Sequence, residues 1–112
     1  MCLNTREIGN IAEDKAVEFL KNNGYDIIDR NFYTKFGEID IIAKKDNVLH
    51  FVEVKSGKNF HSIYNVTSTK MKRIIKSIEF YLKKYKLQNP YQIDVITIDN
   101  GKLEFIKNIS MF

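Results

Sequence analysis

The chain has 112 residues, 44% of them hydrophobic, with one proline and one cysteine. That length suits one core and excludes two folded domains, and a lone cysteine, Cys2, excludes an intramolecular disulfide framework. The formal net charge of +4 and the pI near 9.1 are too modest to select a partner by themselves.

Thr5 or Asn4 is placed to cap a first helix running to about Asn23, with Gly24 as its left-handed stop. Ile8, Ala12, Ala16, Phe19 and Leu20 share one side of it. Tyr25 to Asn31 then reads as a short strand. Gly37 to Lys44 and Val48 to Lys55 read as two longer ones joined through Lys45, Asp46 and Asn47. Ser56 to Asn65 is polar, contains Gly57 and predicts a loop.

Thr67 or Ser68 caps a second helix in which Met71, Ile74, Ile75, Ile78, Leu82 and Tyr85 recur at helical spacing. Lys72, Lys76, Lys83 and Lys86 fall on roughly the opposite side. Asn89 and Pro90 end the helix, Tyr91 to Asp99 alternates as a strand, Asn100 and Gly101 make a tight turn, and Lys102 to Lys107 returns. The expected order is α-β-β-β-α-β-β, in one α/β domain spanning residues 1–112. No segment approaches the roughly 20 consecutive apolar residues that a bilayer requires, and the first residues lack an export signal's order. A cytoplasmic protein without a membrane partner is the expectation.

Charge is unevenly spread. Lys70, Lys72, Arg73, Lys76, Lys83, Lys84 and Lys86 face one acid, Glu79, within a single segment. Lys70, Lys72, Arg73 and Lys76 are therefore candidates for a nucleic-acid-facing surface.

The segment with most chemical content is Gly37-Glu38-Ile39-Asp40-Ile41-Ile42-Ala43 followed by Phe51-Val52-Glu53-Val54-Lys55. A period of two predicts that Ile39, Ile41 and Ala43 share a core face with Val52 and Val54, and that the acids collect on the other face. With Asp46 and Asn47 as a two-residue hairpin loop, Asp40 lies opposite Glu53 and Glu38 opposite Lys55; a three-residue loop shifts this by one. Facing carboxylates destabilise a sheet by up to about 1 kcal/mol. A hard divalent cation offsets that repulsion, since Mg²⁺ takes oxygen ligands from one or two carboxylates plus phosphate oxygens. Lys55 lies on the same face about 7 Å beyond Glu53, where an ammonium stabilises a phosphate or orients water.

The competing explanation is a solvated hairpin face, with Glu38 and Lys55 as a cross-strand ion pair. Against it, two amphipathic helices flank strands rich in Ile and Val, which points to partial enclosure of the acids. Glu13 falls on the margin of the first helix's core-facing side, whereas Asp14 and Glu18 point outward. A carboxylate there needs a partner, either Arg6 or Arg30, or a role at the same metal site.

Gly9-Asn10-Ile11-Ala12-Glu13, Gly24-Tyr25, Arg30-Asn31, the two strand motifs above, and later Lys70 and Arg73 resemble the small bacterial YraN-type family over nearly the whole chain. That family is similar to the PD-(D/E)xK nucleases, the restriction-endonuclease-like fold, and particularly to archaeal Holliday-junction resolvases. The resemblance implies a mixed sheet flanked by helices and Mg²⁺-assisted (or Mn²⁺-assisted) attack of water on a DNA phosphodiester. It implies that Asp40, Glu53 and the carbonyl of Val54 ligate the metal, that Glu13 completes the site, that Lys55 positions the nucleophile and that Glu38 supports them. Ile39 stands where the nuclease signature has proline, and Gln92-Ile93-Asp94 where the family more often has arginine, phenylalanine and aspartate. A homodimer suits symmetric cutting of two strands. An inactive nucleic-acid-binding module of the same fold and a structural or protein-interaction domain are the alternatives.

Among the remaining residues, His50 is expected to face the core or a sheet edge and His61 lies in the polar loop. Asp94 and Asp99 read as strand-end polar residues. The tyrosines are assigned mainly to the core, with Tyr33, Phe36, Phe60 and Tyr64 as weak candidates for base contacts.

Overall fold

The computed structural model describes residues 5–56 and 68–109. The elements are α1 (Thr5–Asn22), β1 (Asp26–Thr34), β2 (Gly37–Lys45), β3 (Val48–Ser56), α2 (Ser68–Lys84), β4 (Tyr91–Asp99) and β5 (Lys102–Ile106). This is the order read from the sequence. The first strand runs longer than expected, through Thr34. Of the loop expected over Ser56 to Asn65, Ser56 instead ends β3, and 57–65, with Phe60, His61 and Tyr64, lie outside the described residues, as does the alternative Thr67 cap.

One five-stranded mixed sheet runs β1-β2-β3-β4-β5. Neighbours are antiparallel except β3 and β4, whose parallel pairing needs a crossover and leaves α2 between them in the chain. At the middle of the sheet β3 is covered on both sides, which explains its run of buried residues from Leu49 to Val52. Helix α1 packs Ala12, Ala16, Val17 and Leu20 onto Ile41, Ala43, Val52, Ile96 and Ile98. On the other face α2 places Met71, Ile78 and Tyr81 against Phe32, Ile39, Ile42, Phe51 and Ile93. Of the stripe expected on α2, Tyr85 is exposed; Ser77 and Tyr81 are buried instead.

Local conformations follow the turn residues. Gly24 at φ 85° stops α1, where a side chain would be strained. Asp46 and Asn47 at φ 52° and 66° form the two-residue loop, and Lys45 pairs with Val48 as the register requires. Asn100 and Gly101 do the same between β4 and β5.

Two expectations are corrected. Ile39 does not share a face with Ile41 and Ala43: it belongs to the α2-side core, so strict alternation breaks between Ile39 and Ile41. Asp94 is not a strand-end residue. It sits in mid-β4, fully buried, with Oδ2 2.6 Å from His50 Nδ1 and Oδ1 accepting from Gln92 Nε2 (2.8 Å) and the Asn108 backbone N–H (2.7 Å).

Candidate functional site

The break at Asp40 makes the site. The β2–β3 pairing stops at Ile41↔Val52, one step before Asp40 and Glu53. Instead of a backbone carbonyl, the Asp40 carboxylate takes the next bond of the ladder: Oδ2 accepts from the Val54 N–H at 2.8 Å. An anchored carboxylate thus stands where the strands part, on a residue that a regular pairing would have turned into a cross-strand partner.

From α1 comes Glu13, buried to 7% exposure. Its Oε1 accepts from Arg30 Nε (3.1 Å) and Asn31 Nδ2 (3.0 Å) and lies 3.0 Å from Arg30 Nη2. These partners all fall on one oxygen, so of the partners expected for Glu13 the arginine is Arg30, and the residue also lines a cleft. The side chain of Arg6, the other partner considered, lies outside the described residues. Arg30 binds Asp14 as well, through Nη2 at 2.7 Å. Asn31 reaches Glu13 because its backbone adopts a left-handed φ of 53°, which asparagine tolerates better than most residues.

Carboxylate oxygens of Glu13, Glu38 and Asp40 all lie within 4.8 Å of one another. They open on a cleft of about 270 Å³ that Gly9, Asn10, Asn31, Tyr33 and Val54 also line. Glu53 adjoins this trio through Asp40, the two carboxyl groups lying close enough to shift each other's protonation. Its Oε1 is buried and has no hydrogen-bond partner. Burial first, and the charge of Asp40 second, push the Glu53 carboxyl up to about 9 despite the opposing pull of Lys55. Asp40 is raised by burial, opposed by the Val54 N–H, by Glu53 and by Lys55. Glu38, although exposed, is raised by partial burial and then by the charges of Asp40 and Glu13. An all-oxygen donor set and an orphaned buried carboxylate oxygen fit a hard divalent cation.

The structure therefore brings Glu13, Glu38, Asp40, Glu53, Val54 and Lys55 into one neighbourhood. Glu38, expected as a support, stands inside the oxygen trio, and Glu53 lies next to Asp40. Sequence reasoning missed Asn31 as a cleft residue; its signal was an asparagine following Arg30 in the strand beside Asp40. Lys70, Lys72, Arg73 and Lys76 lie exposed on the first turns of α2. Lys72, Arg73 and Lys76, but not Lys70, line a separate cleft with Lys35, Phe36 and Thr69. No helix among the described residues is long and apolar enough to cross a membrane.

Residues 12–98 match the family model described as "Uncharacterised protein family UPF0102". A UPF0102 protein of Wolinella succinogenes is 54% identical over 107 residues, covering 96% of this chain and 99% of that one. Relatives of the same description in Helicobacter hepaticus (50% identical; 97% and 99% covered) and Campylobacter hominis (48%; 99% and 100%) align end to end as well. The chain belongs to the UPF0102 family.

Proposed function

We propose that the protein is a divalent-metal-dependent endonuclease that hydrolyses DNA phosphodiester bonds. The observation that carries this reading is the meeting of three carboxylates from α1 and β2 beside the unpartnered Oε1 of Glu53. Asp40 and Glu53, with the carbonyl of Val54, would hold Mg²⁺ or Mn²⁺, and Glu13 and Glu38 would complete its oxygen shell. Such an ion supplies Lewis-acid polarisation of the phosphate and an acidified water.

The chain's own residues do the rest. Lys55 is exposed, yet its charge is felt by both Asp40 and Glu53, so its ammonium meets a phosphate entering beside the acids and orients the attacking water. Arg30 and Asn31 fix Glu13 through Oε1, which leaves its other oxygen for the ion. The Val54 N–H fixes Asp40. The water oxygen forms the new bond to phosphorus as the bond to one ester oxygen breaks, and that leaving oxygen takes up a proton. The resemblance to the PD-(D/E)xK nucleases supports the same assignment. A cytoplasmic setting and a two-fold homodimer, readable by sedimentation, belong to this proposal.

The test is cleavage of branched, single-stranded and duplex DNA with Mg²⁺ or Mn²⁺, beside Asp40→Ala and Lys55→Ala. Wild-type protein should cut at least one substrate, and each variant should be slower by about 100-fold or more. Equal products from all three proteins end the proposal.

A further inference from the structure

A second cleft, of about 420 Å³, lies between the β1–β2 turn and the first turns of α2. Its lining is Lys35, Phe36, Thr69, Lys72, Arg73 and Lys76, four cations without an acid among them. Among the described residues none of these cations has an ion-pair partner. Four like charges around one concavity repel, and a bound anion removes that repulsion.

Phe36 shows which kind of anion. Its ring joins neither of the two cores. Instead the ammoniums of Lys35 and Lys76 hover over it at 5.2 and 5.5 Å from the centroid. A phosphate drawing those ammoniums aside uncovers an aromatic face with room beside it for a planar base. The platform is fixed: the Thr34 hydroxyl accepts from the Phe36 N–H (3.0 Å), donates to the Gly37 carbonyl (3.1 Å) and is 2.9 Å from Ser77 Oγ of α2. The same hairpin end supplies Tyr33 to the lining of the acidic cleft and Lys35 to this one.

We infer that this cleft binds an unpaired nucleotide of single-stranded DNA, the base stacked on Phe36 and the flanking phosphates held by Lys35, Lys72, Arg73 and Lys76. The inference rests on the nuclease reading for its purpose, and its test does not depend on turnover. Base pairing hides base faces, so blunt duplex offers this site only its phosphates.

Fluorescence anisotropy in EDTA at low salt, on the Asp40→Asn background, compares a labelled oligothymidylate, an abasic strand of equal length and a blunt duplex. Oligothymidylate should bind about tenfold or more tightly than either. Phe36→Leu should remove that advantage and leave the abasic strand unaffected, Phe36→Tyr should restore it, and Arg73→Gln should weaken both single strands alike. Thermal melts confirm that each variant folds. Equal affinity for thymidylate and abasic strands, preference for duplex, or an unaffected Phe36→Leu overturns the inference. Cleavage of duplex by wild-type protein alongside any of those results leaves the nuclease reading standing; Phe36-dependent binding without any cleavage does the reverse.

Discussion

Glu53 is held between two demands, since burial favours its protonated form while the proposed cation beside Asp40 would require it ionised. Its folded pKa of about 9 lies above the ordinary 4.5, so between these values the folded chain keeps a proton that the unfolded chain has lost. Stability of metal-free protein is then fullest below pH 4.5 and is given up as the pH rises toward 9. Urea melts in EDTA across that range should show the decline. Glu53→Gln, which has no proton to lose, should flatten it and leave the variant more stable than wild type at pH 8. A wild-type curve that rises over the same window would contradict this electrostatic account.

Asp94 poses the opposite case, a buried carboxylate with every contact filled. Asp94→Ala strands His50, Gln92 and the Asn108 N–H, and should cost about 3–5 kcal/mol. Calorimetry should register a Tm lower by more than about 10 °C, with Asp94→Asn losing less because an acceptor remains. The sequence hid this pair because His50 and Asp94 are far apart in the chain and meet only through parallel pairing of β3 and β4. By contrast, the position of Glu13 was legible, since a helical wheel locates a carboxylate relative to the apolar stripe without tertiary knowledge.

At the level of elements, β1 is where regularity yields to the site. Its register shifts by one residue between Ile27 and Asp29, which leaves Ile28 exposed, and three residues later Asn31 takes its left-handed turn. Asn31→Gly keeps the backbone and loses the hydrogen bond to Glu13, so it should slow cleavage with little change in Tm. Asn31→Ala should slow cleavage as well and also cost about 1–2 kcal/mol of stability, because alanine is strained at that positive φ. Chemical denaturation run beside the cleavage assay separates the two. Element order, the Asp46–Asn47 loop and the β2–β3 register were readable because turn residues and periodicity are local properties. The irregularity at Asp40 was not, because it replaces a backbone partner by a side chain, and no pattern of apolar residues records that exchange. The break also explains why Ile39 was assigned to the wrong face.

Across the whole molecule, charge is sorted about the β1–β2 hairpin end, acids toward α1 and cations toward α2. Four phosphate contacts on a single strand correspond to a salt slope of about 2.8, so affinity should fall roughly 50-fold between about 50 and 200 mM salt. Titrations of the Asp40→Asn protein at several KCl concentrations measure the slope directly, and a flat response would show that the cations of α2 do not contact phosphate.

The crossover from β3 to β4 also separates the molecule in time. Glu13, Glu38, Asp40, Glu53 and Lys55 all precede it, carried by α1 and a ribbon of consecutive antiparallel strands, whereas the clasp of Asp94 on His50 waits for the distant parallel partner. During synthesis the cleft carboxylates can thus be translated before the strand that carries Asp94 has left the ribosome.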